Sequence, residues 1–371
     1  MCRPARPIPL LVLSALLWLG GCASQPPTPR TPSPNEVRSQ IVSLMPASVP
    51  DRPGWAVDVY AAFAALSIEP SRSNVCAVLA VVEQESTYRA DPAVPGIGQI
   101  AREEIDRRAE RAGVPRLLVQ AALQMRSPDS RSYSERIDAA RTEKDLSDTF
   151  EDFIAGVPLG QRFLAGYNPV RTGGPMQVSI AFAEGQVKAK TYPYRLTGSV
   201  RDEVFTRRGG LYFGIAHLLD YPARYDQPIY RFADFNAGRY ASRNAAFQQA
   251  VSLASGRPLD LDGDLVLPGS ETGQTEAAVR SLAARLDIDD EAIHRALEQE
   301  RSAELEQTRI YARVFELAEQ RQHGALPRAV LPRIDLHSPK ITRPLTTEWF
   351  ARRVDERYKR CLARAPAERT P

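Results

Sequence analysis

The sequence predicts a nearly all-helical protein, on three observations. Apolar residues recur at helical intervals along most of the chain, as at Val57, Tyr60, Phe63 and Ala64. Alternating strand patterns are almost missing. Helix-stopping residues close the periodic runs, as Asn236-Ala237-Gly238 does. With 371 residues, 43% hydrophobic and 25% charged, the chain has a globular composition and room for two or three domains. A net charge of +3 is too weak to argue for a nucleic-acid partner.

The N-terminus bears on compartment. Arg3 and Arg6 precede an apolar run from Leu10 to Leu19, too short to span a bilayer comfortably and suited to an export signal. Leu19-Gly20-Gly21-Cys22 resembles a bacterial lipobox. The resemblance implies a signal peptide over 1–21 and acyl chains such as palmitate on Cys22, holding the protein to a membrane. An ordinary cleaved signal is the plainer alternative. Ala23 after the cysteine points to the outer membrane, so the expected place is the bacterial cell envelope, lipid-anchored and facing the periplasm. Residues 22–36, with prolines at 26, 27, 29, 32 and 34, read as a flexible tether.

Cys2 leaves with the signal and Cys22 carries lipid, which leaves Cys76 and Cys361. In an oxidising compartment they can form one disulfide, joining the last helix to the helix that carries Glu85. The alternative is a buried free Cys76 and an unrelated Cys361.

Helices are expected from Val37 to Leu44, from Trp55 to Leu66, and from a cap at Ser71–Ser73 to Glu85. Further helices are expected over 101–112, from Pro115 to near Met125, over 134–141 and over 143–154. Turns follow to Thr172. Helical runs then start at Ile180, lead into Leu211–Leu219, and cover Tyr230–Phe235. Residues 256–272 have loop composition. Asp260, Asp262 and Asp264 alternate there as a calcium loop would begin, but Leu265 stands where that loop needs glycine, so a solvated turn is expected. Helices over 276–286, 290–298 and 304–322, an extended stretch and a basic helix over 346–362 complete the chain.

The helix ending at Glu85 carries the chemistry. A carboxylate at the end of an apolar run is costly to bury unless it finds partners or keeps its proton, which suits a general acid. Glu83 and Glu85 are two apart and point about 200° away from each other on a helix. One of them faces a given cleft, and Glu85 is the choice.

Three stretches carry a wider resemblance: Glu85-Ser86-Thr87-Tyr88, Gly174-Pro175-Met176-Gln177-Val178 and Phe235-Asn236-Ala237-Gly238. Together they resemble the soluble lytic transglycosylase-like branch of the lysozyme-like superfamily, with its Glu-Ser-x-aromatic, Gly-Leu-Met-Gln and Tyr-Asn-Ala-Gly motifs. The match covers about residues 70–100 and 170–255. It implies a mostly α, lysozyme-like domain over 37–255 with a helical insertion at about 93–170, and a C-terminal helical extension over 256–371.

The resemblance also implies a reaction. Glu85 would be the single catalytic acid, cleaving the MurNAc-GlcNAc β-1,4 bond of peptidoglycan to 1,6-anhydro products. Ser86, Gly174, Met176, Gln177, Tyr212 and Asn236 would serve substrate binding, with glycan strands as the partner. Each has a plainer reading: Ser86 as helix-end polarity, Gly174 and Gln177 as a tight turn, Asn236 as a helix stop, Tyr88 and Tyr212 as core.

Two departures from the family stand out. Glu85 to Gln177 spans 92 positions, several times the family's separation, whereas Gln99 in Gly96-Ile97-Gly98-Gln99-Ile100 lies at about the usual distance. Phe235 replaces the family's tyrosine and lacks its hydroxyl. They keep a second reading open: a non-catalytic peptidoglycan-binding or scaffold lipoprotein on a degenerate lysozyme-like fold.

Other chemistries find no motif. His217, His294, His323 and His337 lack metal-ligand spacing, so no metal or cofactor is expected. There is no nucleophile elbow or P-loop, and Cys76 lies in an apolar run unlike an activated thiol.

Overall fold

The computed structural model describes residues 32–157, 162, 166, 168–196, 198–269, 271–336 and 343–364. The expected signal peptide, Cys22 and most of the expected tether lie outside the described residues, as does His337. No helix among the described residues is long and apolar enough to cross a membrane. The protein is mostly helical, and the described strands form one short hairpin.

The chain opens with α1 (Pro34–Leu44), α2 (Arg52–Leu66) and α3 (Arg72–Glu85). Ser33 and Glu36 form a capping box on α1, and Ser71 caps α3 by accepting from the Asn74 amide at 3.2 Å. Every residue of α3 from Val75 to Val82 is buried, which an all-apolar run permits.

Next come α4 (Ile97–Arg111), α5 (Arg116–Leu123), α6 (Tyr133–Ala139) and α7 (Glu143–Gly156), which pack mainly on one another. The segments entering and leaving α4–α6 meet at the base, where Ala93 bridges Thr142 and the Val94 amide donates to Arg141 O at 2.9 Å. Arg201 ties the far end of the segment down by donating to Val170 O at 2.8 Å. Residues 93–170 therefore form a locally closed helical unit, mounted on the first core through Ile97, Ala101, Ile137 and Leu146.

The hairpin of β1 (Thr172–Gly173) and β2 (Val178–Ser179) follows. It leads to α8 (Ile180–Ala189), α9 (Val200–Val204), α10 (Arg207–Leu219) and α11 (Pro228–Ala237). Then come α12 (Ala241–Ser255), α13 (Gln274–Arg280), α14 (Ala283–Leu286), α15 (Asp290–Leu297), two 3-10 turns at 298–307, α16 (Arg309–Gln322) and α17 (Thr347–Arg364).

Two hydrophobic cores result. The first runs from Val37 to Ala233 and takes in Phe350, Ala351, Val354, Tyr358 and Cys361 of α17; the second runs from Ala246 to Leu326. The division expected at 255/256 is therefore displaced. α12 faces the second core, with Phe247 stacked 5.6 Å from Tyr311, while α17 packs on α3 and α11. Burial sets this division, since each helix goes where its apolar face is covered.

The two cores join at Asp234 of α11. Its buried carboxylate accepts from the amides of Tyr240 at 2.9 Å and Ser242 at 2.7 Å, and from the hydroxyls of Tyr221 at 3.0 Å and Tyr225 at 2.7 Å. A carboxylate there complements the N-terminus of α12.

The expected solvated turn holds for the exposed Asp260 and Asp264, but the loop is also anchored to the fold. Gly263 and Leu265 are buried, and Gln248 donates to Asp262 at 2.6 Å while the Leu265 amide donates to Glu300 at 2.7 Å. Buried polar side chains of α12 hold the loop from beneath.

Candidate functional site

The two glutamates of α3 part company as helical geometry requires. Glu83 faces α17, with Arg360 at 3.1 Å, Arg357 at 3.8 Å and Arg364 at 4.0 Å. Glu85, the last residue of α3, lies on another face and is half-buried. α17 takes Glu83 into a structural ion-pair cluster.

Helix α10 gathers the three motif-bearing pieces: α3, strand β2 and α11 all pack against it. Helix α3, the 174–177 turn and the end of α11 are thus mounted on one shared helix, although Gln177 lies 92 positions beyond Glu85.

Small residues of α10 let the turn sit close. Met176 is fully buried, and a Cβ at Gly214 would collide with its side chain. Gly174 takes a left-handed φ of +74°, and a Cβ there would strike Val204 O. Gln177 also has positive φ; its amide donates to Gly174 O at 3.1 Å, and Thr172 Oγ1 donates to its side-chain oxygen at 3.3 Å. The turn is tight, and Gln177 folds back onto its own hairpin.

Two expected substrate contacts are corrected. Met176 is core, and so is Tyr212, 1% exposed and packed edge-on against Tyr192 and Phe213. Neither side chain reaches a surface where a sugar could meet it. Tyr88 is core as well, buried edge-on against Trp55 with its hydroxyl donating to Leu79 O at 3.3 Å.

Ser86 behaves as a helix-end residue. Its hydroxyl donates to Val82 O at 3.0 Å and accepts from the Arg89 amide at 3.3 Å. Asn236 accepts from the Thr347 hydroxyl at 3.2 Å, which fixes the end of α11 against the start of α17. Gln99 lies on α4, bonded to Glu103 at 3.1 Å within the insertion.

His217 had no motif to mark it. It sits on α10 with its ring 4.7 Å from Phe182 and 5.1 Å from Phe235, and its Nε2 lies 3.3 Å from Phe235 O. Burial, and then the charge of Arg239, pull its pKa down to about 4, so it is neutral at physiological pH. Only its position on an otherwise apolar helix could have pointed to it. Among the described residues, no cluster of three or more His, Cys, Asp or Glu could hold a metal ion.

The chain belongs to the family described as "Protein of unknown function (DUF1615)", whose model matches residues 48–364. It is similar to the "Uncharacterized protein YaiW" of Escherichia coli (strain K12), 56% identical over 359 residues, which is 96% of this chain and 98% of that protein. No solved structure matches this chain.

Proposed function

We propose that this protein is a lipid-anchored, peptidoglycan-cleaving lytic transglycosylase on a lysozyme-like scaffold. The observation that carries the reading is the placement of Glu85: half-buried at the end of an apolar helix that packs on α10, the helix that also carries the 174–177 turn and the end of α11.

The chemistry needs one carboxyl group. Glu85 gives its proton to the glycosidic oxygen as the MurNAc C1–O bond breaks. Its carboxylate then takes the proton from the muramoyl 6-hydroxyl as that oxygen bonds to C1. The product is a 1,6-anhydro sugar, and no water is consumed. Hydrolysis would ask for a second carboxylate at a set distance. Gln177 and the backbone at Gly174 would line the cleft, and Asn236 would hold its wall.

Digestion of purified sacculi, with mass spectrometry for anhydro-muropeptides, tests this. The wild type should release them, and Glu85→Gln should lower release by at least about a hundredfold, as loss of a general acid does. Equal background release by both would sink the enzymatic reading.

A second reading has specific support: Phe235 lacks a hydroxyl, and the Ser86 and Asn236 side chains are engaged within the fold. On that reading the chain binds glycan strands without turnover. Co-sedimentation with sacculi, unchanged in Glu85→Gln and without product release, would support it.

A further inference from the structure

Helix α5 buries none of its own residues. Apolar stripes on helices normally pack inward. Here Leu123 packs against the first core, while Val114, Leu117, Leu118 and Met125 are 41, 76, 60 and 43% exposed. Positions 117, 118 and 121 share one face of α5, and Val114 and Met125 flank its two ends. With exposed Ala121 between them, they form one outward apolar stripe.

Arginines flank that stripe. Between 107 and 126 the chain carries arginines at 107, 108, 111, 116 and 126 against a single acid, Glu110. Glu104 pairs with Arg107, Arg108 and Arg111, and Arg111, Arg116 and Arg126 are exposed. Positive charge is therefore in excess around an apolar tip.

Apolar side chains beside guanidinium groups match the boundary between acyl chains and phosphate headgroups. We propose that α5 and its flanks, from Val114 to Met125, dock this protein on an anionic phospholipid bilayer. The helix has 8 residues, about two turns, so the contact is reversible and acts as a second membrane signal beside a lipid anchor. The inference rests on the envelope placement proposed above but not on glycan cleavage. An assay with lipid alone lets either reading fail without the other.

The chain from residue 23 onward serves for the test, because both cores lie between Val37 and Cys361 and are untouched. It is sedimented with phosphatidylcholine vesicles, or with mixed phosphatidylglycerol–phosphatidylcholine vesicles, at about 0.1 M salt. The wild type should favour the anionic vesicles at least about tenfold and lose that preference in high salt. Leu117→Asp with Leu118→Asp should lower binding about a hundredfold. Arg111→Glu with Arg116→Glu should lower it at least about tenfold. Unchanged circular dichroism and melting exclude misfolding, since all four side chains are exposed. Failure of the wild type to bind, or equal binding by the leucine pair, overturns the proposal. So does light scattering that shows the stripe mediating self-association while vesicles stay bare.

Discussion

At the scale of single residues, His217 sets a pH dependence. Its folded pKa of about 4 lies below the ordinary 6.5 because the ring is buried and Arg239 is near. Between those values the unfolded chain binds a proton that the folded chain refuses. The stabilisation is therefore fully present above about pH 6.5 and is lost as pH falls toward about 4. Urea denaturation at about pH 7.5 and about pH 4.5 should show the wild type losing on the order of 2–3 kcal/mol more than His217→Gln. Equal losses would rule this out. Residue roles were unevenly legible in the sequence. Helical geometry alone separated Glu83 from Glu85, because the angle between them follows from their spacing. The burial of Met176 was hidden, because it depends on the close approach that Gly214 allows, whereas a core place for Tyr212 was already one of its two readings.

The element that best rewards attention is the seam between α3 and α17. Cys76 and Cys361 are joined by a disulfide, Ser73 Oγ and Tyr358 OH lie 2.9 Å apart, Arg72 donates to Leu362 O, and Glu83 meets three arginines. The bridge closes a sequence separation of 285 residues, so its removal frees a large unfolded ensemble. Cys76→Ser with Cys361→Ser should cost about 2–5 kcal/mol, read from denaturant midpoints with and without reductant. No difference between the double variant and the wild type would show that the seam holds without it. Most helices were legible from amphipathic periodicity, and α12 was not. It is buried on nearly all sides, with Arg243, Asn244 and Gln248 enclosed beside Phe247 and Val251, so it shows no stripe and mimics a surface run. α5 misleads in the opposite sense: its stripe looks like a core face and points outward.

For the molecule as a whole, a first core that takes in the last helix makes the chain indivisible at 255. A fragment ending at Ser255 loses Phe350, Val354, Tyr358 and Cys361 from that core and leaves Phe247 and Val251 of α12 uncovered. It should show no cooperative melting transition and should be degraded by dilute protease, where the intact chain resists; a sharp transition would contradict this. The two-lobed division was invisible in sequence because contiguity suggested a tail, whereas burial pairs distant segments. The return of α17 also has a consequence in time. A chain made from its N-terminus presents α1, α2 and α3 first, yet their covering helix arrives last. Residues 241–330, contiguous in sequence, can close their own core earlier, while the older part of the chain stays open until synthesis is all but finished. The half that carries Glu85 is therefore the last to mature.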